Sequence, residues 1–170
     1  MTRIGYVDCI SNAFDSFELA NGVVEKKIAG ASLTRLTAPE ILKIPVCVKK
    51  LFTASDVDLV VAFISASGED FDSLHLVVEK TIDLEVEFSK YVFYCVVSEE
   101  EFSTQQQFEK ISKKRLEVVL DIAMKALHHP AEVSEKVGSG MDFSSLSALA
   151  LGAGPENSPT SEEGGDEDKR

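Results

Sequence analysis

The sequence lacks tryptophan and has three cysteines, Cys9, Cys47 and Cys95, none of which forms a CxxC pair. Each cysteine lies in an apolar run, which is typical of a small buried hydrophobe rather than of a disulfide or a metal ligand. The chain also lacks HExxH, paired-Cys and EF-hand spacings, so we predict no metal site. It has no GxGxxG, Walker or GxSxG motif, which leaves dinucleotide binding, P-loop nucleotide hydrolysis and hydrolase triads without support.

Long hydrophobic runs are absent as well. No apolar run reaches the length of about 18 residues that a membrane-spanning helix needs. The first residues, MTRIGYVDC, contain no signal-peptide core. We therefore expect a soluble cytoplasmic protein with no membrane partner and with its thiols kept reduced.

Basic residues are scarce: 17 lysines and arginines stand against 29 aspartates and glutamates, for a net charge of −12. A nucleic-acid groove needs clustered bases, so we predict no nucleic-acid partner. A small anionic ligand stays compatible with this charge, because a helix N-terminus or one or two cations suffice to bind it. Six of the acids and two of the bases fall in residues 156–170, which contain no large apolar side chain and are predicted to be an acidic disordered tail.

Residues 1–155 suit one domain with one core, since 44% of the whole chain is hydrophobic. The segments predicted as strands are 3–10, 32–38, 58–66 and 91–97. Three of them are nearly continuously apolar, as in parallel strands covered on both faces, and 32–38 alternates more, as near an edge. Helical spacing predicts helices over 17–28, 45–52, 70–90 and 104–129. This alternation indicates an α/β protein, a three-layer α/β/α sandwich with a four-stranded parallel sheet.

The last predicted helix is apolar on two sides. One stripe consists of Phe108, Ile111, Val118, Val119, Ile122 and Ala126, and a second of Leu116, Leu120, Ala123 and Leu127. A helix that is apolar over so much of its circumference is covered on two sides, either by another subunit or by the residues that follow it. Among those residues, the stretch SSLSALALGAG, residues 144–154, predicts an apolar patch or short helix that docks on this chain or on a neighbour.

Ligands of open parallel sheets bind at the carboxyl ends of the strands, so the strand-to-helix junctions hold the candidate site residues. The first junction offers Ser11, Asn12, Phe14 and Asp15. Ser11 or Asn12 is either a helix N-cap or part of a ligand pocket. In the second interpretation Phe14 is a stacking plate.

The second junction is bracketed by two prolines. Pro39 excludes helical backbone angles at Ala38, and Pro45 suits the first turn of a helix because its missing N–H is not needed there. The bend between them, which contains Glu40 and Lys43, is either a merely stiff connection or a rigid edge that presents backbone N–H groups to a ligand.

The third junction has Gly68 and Glu69 ahead of a long helix, with His75 near the start of that helix. His75 is either a surface or packed histidine or, at this edge of the sheet, a base with a pKa near neutrality. The pair His128 and His129 ends the last predicted helix, where a partial positive charge is favourable for structural reasons alone.

The segment RLTAPEILKIPVCVKKL, residues 35–51, resembles the second-strand segment of the lumazine synthase superfamily, and in particular of the archaeal type of riboflavin synthase. The matching positions are Thr37, Pro39, Ile41, Pro45, Val46, Lys49, Lys50 and Leu51. The stretches RIGYVDCI, VDLVVAF, KYVFYCVV, KKRLE, VGSG and GAGP are similar to further segments of that family in the same order. The resemblance thus covers residues 3–155.

The resemblance implies a lumazine synthase-like, flavodoxin-like fold and riboflavin synthase activity. Two molecules of 6,7-dimethyl-8-ribityllumazine become riboflavin and a ribitylamino-pyrimidinedione by transfer of a four-carbon unit, without metal or cofactor. It also implies a homopentamer whose sites are shared between neighbouring subunits. In this chain the implied proton shuttle is His75, and Lys43 neutralises charge that develops on the ring. The implied substrate-binding residues are Ser11, Asn12, Phe14, Asp15, Ala38, Pro39, Glu40, Gly68 and Glu69.

Two alternatives stay open. A lumazine synthase needs a phosphate-binding cation near the third and fourth junctions, and these stretches, GEDFDSLH and SEEEFSTQQQ, are acidic here. A family member without catalysis would bind flavin or act as a scaffold oligomer. Glu40 stands where the family has glycine, Ala13 where it has arginine and Leu76 where it has glutamate, and these changes favour that alternative.

Overall fold

A computed structural model describes residues 1–134 and shows an α/β fold in which helices flank a four-stranded parallel sheet. The strands are β1 (Arg3–Cys9), β2 (Ser32–Ala38), β3 (Leu59–Ala66) and β4 (Tyr91–Ser98). The helices are α1 (Phe17–Lys27), α2 (Ile44–Ala54), α3 (Phe71–Phe88), α4 (Gln105–His128) and α5 (Pro130–Ser134). The predicted fold class is confirmed. The predicted docking segment, the boundary at residue 155 and the acidic tail lie outside the described residues.

The strand order is β2-β1-β3-β4, with all neighbours parallel. β1 leads outward to β2 in one direction, and β3 leads outward to β4 in the other, so the order reverses between β1 and β3. Pairing between these two strands ends at Val7 and Ala62, whereas β1 stays paired with β2 as far as Cys9 and Ala38. A gap therefore opens between β1 and β3 at the carboxyl edge of the sheet.

The two faces of the sheet bury different side chains. Tyr6 and Phe63 point to the layer of α1 and α4, where aromatic rings fill much of the core. Val7 and Ile64 point to the layer of α2 and α3, where the core is mainly aliphatic. Because side chains of a strand alternate between faces, strands that are apolar at every position support both layers.

Local chemistry sets the helix ends, with one difference from the sequence prediction. Pro45 lies in the first turn of α2, and Thr104 caps α4 by accepting a hydrogen bond from Gln107 N at 3.3 Å. The prediction that Ser11 or Asn12 is the N-cap of the first helix is wrong: α1 begins at Phe17, after an irregular loop. None of the helices within residues 1–134 is both long and apolar enough to cross a membrane.

The three cysteines are free and buried, as the apolar context predicts. Burial raises the pKa of the Cys9 and Cys95 thiols to about 12. Burial also raises the pKa of the Cys47 thiol. All three therefore stay protonated near neutral pH and pack as small hydrophobic groups.

Candidate functional site

The loop after β1, residues 10–15, crosses the gap between β1 and β3, and Asn12 fills it. The Asn12 amide donates from Nδ2 to Phe63 O at 3.3 Å, and its Oδ1 accepts from Ser65 N at 2.9 Å. The side chain thus replaces the strand neighbour that β3 loses beyond Ala62. Each polar atom of the amide thus has one partner in β3, and the role of Asn12 in binding ligand hydroxyls stays a prediction.

Arg35 ties the end of this loop to the sheet. Its Nη2 lies 2.6 Å from Asp8 Oδ2, and Asp8 has only 3% of its side chain exposed. The same Nη2 lies 3.1 Å from Asp15 Oδ1, and the guanidinium carbon is 5.0 Å from the centre of the Phe17 ring. The Phe17 N–H, together with Arg35, lowers the pKa of Asp15. The carboxylate of Asp15 stays largely exposed beside the edge of the sheet.

Phe14 is half-buried in a group of aromatic rings. Its centroid lies 5.2 Å from that of Phe108 and 5.9 Å from that of Phe102. Phe63 and Tyr6 continue the group under the sheet edge. These contacts fix the orientation of the Phe14 ring and leave a part of its surface for a ligand.

The proline bend is anchored from below. Ile41 and Ile44 are buried in the aliphatic core, and Glu40 between Pro39 and Ile41 is extended, with φ −155° and ψ 164°. Residues 41–43 form one 3₁₀ turn that lies against α3. Pro39 itself is exposed at the edge.

Ala38 differs from its predicted role. Its side chain is fully buried, and its carbonyl accepts a hydrogen bond from Ile10 N at 2.9 Å. Ala38 therefore belongs to the sheet and offers no free surface for a substrate. Its assignment as a binding residue stays a prediction, which this burial does not favour.

The two charged side chains of the bend pair with each other. Lys43 Nζ lies 3.1 Å from Glu40 Oε1, and both side chains are more than half exposed. Lys43 is thus partly neutralised by a carboxylate three residues away. The bend thus places one ammonium group at this edge, with a carboxylate partner beside it.

The turn after β3 leads directly into α3. Residues 68–70 form a 3₁₀ turn that is held by Ser67 and Asp70, whose Oδ2 accepts from Ser67 N at 2.9 Å and from Ser67 Oγ at 2.7 Å. Gly68 and Glu69 are exposed on this turn, and His75 is exposed on α3 one turn further on. His75 has no hydrogen-bond partner among residues 1–134, so its imidazole ring is accessible at this edge.

Arg115 was not among the site residues predicted from the sequence. Its Nη1 donates to Val96 O at 2.9 Å, and its Nη2 lies 2.6 Å from Glu101 Oε2. Nearby, Ser65 Oγ donates to Glu99 Oε1 at 3.3 Å. Arg115 lies in a lysine-rich stretch, where one more basic residue gives no distinct signal. Arg35 gives a clearer signal, because it is the one charged residue of its strand.

A groove of about 340 Å³ runs between α2 and α3 on the outer surface. It is lined by Pro45, Val46, Lys49, Lys50, Thr53, Lys80 and Leu84. None of the predicted substrate-binding residues lines it, although it begins at the second proline of the bend. Within residues 1–134, no group of three or more His, Cys, Asp or Glu side chains is placed to hold a metal ion.

Parallel topology brings the three junctions to one edge of the sheet. The predicted site residues exposed there are Ser11, Asp15, Pro39, Glu40, Lys43, Gly68, Glu69 and His75. Together they offer hydroxyl, carboxylate, ammonium and imidazole groups on rigidly anchored turns. No protein-family model and no curated protein matches the chain significantly.

Proposed function

We propose that this chain is a riboflavin synthase of the archaeal type, which converts two molecules of 6,7-dimethyl-8-ribityllumazine to riboflavin and a ribitylamino-pyrimidinedione. The observation that carries the proposal is the proline bend. Residues 39–45 lie within the segment 35–51 that carries the resemblance, and they form an anchored turn at the carboxyl edge of the sheet, against α3. A rigid turn of this kind can hold the edge of a flat heterocycle in one orientation.

Each exposed group has its own role in such a site. His75 takes a proton from the acidic methyl group of one lumazine and returns it later in the reaction. Lys43 offsets negative charge that develops on the ring. Ser11 and Asp15 on one side, with Glu69 on the other, bind the hydroxyl groups of the ribityl chains.

A second subunit completes the site in this proposal. Phe14 presents part of one ring face, and the remaining walls of a pocket for two heterocycles must come from elsewhere. A homopentamer with sites between neighbouring subunits, as the resemblance implies, supplies them. Native mass spectrometry tests this point, and a strictly monomeric protein with full activity would contradict it.

One observation favours a second candidate, a member of this family that binds flavin without turning over lumazine. The Glu40–Lys43 pair holds the lysine 3.1 Å from a carboxylate and so weakens it as an electrostatic catalyst. A lumazine synthase has less support. At the fourth junction Arg115 already binds Glu101, so it is not available for a phosphate.

The decisive experiment is incubation of the purified chain with 6,7-dimethyl-8-ribityllumazine, followed by absorbance and fluorescence of riboflavin. Time-dependent riboflavin formation supports the synthase. Saturable quenching of added riboflavin fluorescence without turnover supports the flavin-binding candidate. If neither riboflavin formation nor riboflavin binding is observed, both candidates are rejected.

Two variants then assign the roles. We expect His75→Ala to lower kcat by about 10²-fold or more, the usual contribution of a general base. His128→Ala is the matched control, because His128 contacts Thr2 at the opposite end of the fold and should leave kcat unchanged. If His75→Ala and His128→Ala have the same kcat, His75 has no role in the mechanism. Glu40→Gln, which releases Lys43, should raise kcat.

A further inference from the structure

One side of the molecule, beyond edge strand β4, is apolar and uncovered in residues 1–134. Val86 is 76% exposed, Tyr91 50%, Ile82 49% and Val118 38%. We call these four residues, with the half-buried Phe93 and Ile122, the β4 face. Single exposed hydrophobic residues are ordinary, but a contiguous group on one side marks a surface that something else covers.

A side-chain contact shows that Ile82 and Val86 lie on the side of α3 that faces the open edge of the sheet. Glu85 Oε1 accepts a hydrogen bond from Val92 N at 2.6 Å, so the Glu85 side of α3 faces the unpaired side of β4. Ile82 lies three residues before Glu85, and Val86 lies four residues after Ile82. These spacings place neighbours on one helix face.

A contact of Arg115 shows the orientation of α4 in the same way. Arg115 Nη1 donates to Val96 O, so this side of α4 faces the edge of β4 from the other layer. Val118 lies three residues after Arg115, and Ile122 lies four residues after Val118. The core takes most of the apolar side chains of this helix, and Val118 and Ile122 are left to form part of the β4 face.

The β4 face lies toward the amino edge of the sheet, away from the proposed active site. Tyr91 begins β4, and Val86 is near the end of α3. The end of α4 is at the same edge, because His128 Nε2 lies 3.0 Å from Thr2 Oγ1. The chain continues past Ser134, so residues 135–170 start from this edge of the molecule.

We propose that residues 141–151 of the same chain, MDFSSLSALAL, dock on the β4 face. Residues 135–140 span at most about 20 Å, so residue 141 stays within that distance of the end of α5, at the edge of the sheet toward which the β4 face lies. The docking segment carries one phenylalanine, one methionine and three leucines, so it supplies the apolar area that the β4 face lacks.

Charge adds a second reason for this occupant. Lys110, Lys113 and Lys114 lie on α4, and none of them pairs with a carboxylate within residues 1–134; the ion pairs of α4 use Arg115, Glu117, Asp121 and Lys125 instead. Residues 156–170, which follow the docking segment, carry six acids and two bases. They can reach these lysines once residues 141–151 are docked, and the attraction weakens as salt is added.

Amide hydrogen exchange on the full chain tests the docking. In the wild-type protein we expect exchange across residues 141–151 at least about tenfold slower than in the free peptide. Val86→Asp places a charge in the β4 face and should abolish that protection. Val86 is so exposed that the fold should tolerate the change, which far-UV circular dichroism checks.

The matched control is Val46→Asp, an exposed valine on α2 outside the β4 face. It should leave the protection of residues 141–151 unchanged. Wild-type exchange at the rate of the free peptide, or equal loss of protection in both variants, would overturn the proposal. Should Val86→Asp misfold, Tyr91→Ser serves as the second test, with the same expected loss.

Carbodiimide cross-linking of mixed heavy- and light-isotope chains identifies the occupant. Cross-links from residues 156–168 to Lys110, Lys113 or Lys114 within one isotope label support docking in the same chain. Cross-links that join heavy to light chains at these lysines would show that a second copy covers the surface, and would overturn the proposal as stated. Links to Lys26 or Lys50 in equal amount would show that the acidic residues do not select the α4 lysines, and would remove the charge argument.

Discussion

Each edge strand of the sheet, β2 and β4, is linked to its surroundings by one arginine. The two arginines form these links in different ways. Arg35 belongs to β2 itself and binds Asp8 on the neighbouring strand and Asp15 in the loop after it. Arg115 belongs to α4 and reaches over the edge to Val96 O and Glu101. One guanidinium joins the sheet to a loop of the proposed site, and the other shields an unpaired strand edge.

This difference separates the two sides of the molecule by role. On the β2 side, polar contacts hold the loop that carries Ser11 and Asp15, so the candidate site there is formed before any ligand arrives. On the β4 side, polar side chains cover two backbone groups and apolar ones remain exposed around them. An edge protected in this way is suited to docking rather than to chemistry.

The largest effect should come from the buried carboxylate of the β2 side. Asp8→Ala should lower the free energy of unfolding by about 3 kcal/mol, the lower end for a broken buried ion pair, because Arg35 is one-third exposed and keeps Asp15. Urea denaturation measures the change. The double variant Asp8→Val/Arg35→Leu should lose less free energy of unfolding than Asp8→Ala alone. A loss in the double variant equal to the sum of the losses in the two single variants would contradict the pairing.

On the β4 side, Arg115→Met should lower the free energy of unfolding by about 2 kcal/mol, since it leaves Val96 O and the carboxylate of Glu101 without their donor. Lys114→Met is the control: its side chain is exposed and should change stability by less than about 0.5 kcal/mol. If the two variants have the same unfolding midpoint, Arg115 does not stabilise the edge.

A smaller loss is expected at the gap between β1 and β3. Asn12→Ala removes the two hydrogen bonds to Phe63 O and Ser65 N and should cost about 1–2 kcal/mol. Faster amide exchange at Ser65 would locate the effect. Ser11→Ala, at an exposed position in the same loop, should leave both quantities unchanged, and a comparable effect there would indicate general loosening of the loop.

The smallest effect concerns Asp15, whose pKa is lowered in the folded protein by the Phe17 N–H and Arg35. A lowered pKa means that the ionised carboxylate favours the folded state. Its contribution is complete above the unfolded pKa of about 3.9 and is lost as the pH falls through the lower folded value. Asp15→Asn should therefore destabilise the protein by less than about 1 kcal/mol at pH 7, and the difference should vanish in strong acid. A difference that is constant with pH would contradict this origin.

Much of the architecture was predictable from the sequence because its signals are local. Three nearly continuous apolar runs and the alternating run 32–38 predicted four parallel strands, and the apolar context of Cys9, Cys47 and Cys95 predicted buried thiols. Pro45 predicted a helix start to within one residue. The N-cap at Ser11 or Asn12 was a wrong prediction, since nothing local shows that Asn12 is taken by a distant strand.

The candidate site was predictable in part. Parallel topology alone places the junctions at one edge, so the exposure of Lys43, Glu69 and His75 there follows from the fold. The burial of Ala38 beneath the loop after β1 and the packing of Phe14 in the aromatic group did not follow. Each depends on partners such as Ile10, Phe102 and Phe108, which only the packing of helices on the sheet brings together.

The sequence by itself determined which segments become strands and helices, because periodicity and proline act over a few residues. The tertiary structure decided the order β2-β1-β3-β4, the pairing of Arg35 with Asp8, and the side of the molecule on which the apolar residues of α3 and α4 remain uncovered. These features join residues far apart in the chain, and their free energy exists only once both partners are buried or aligned together.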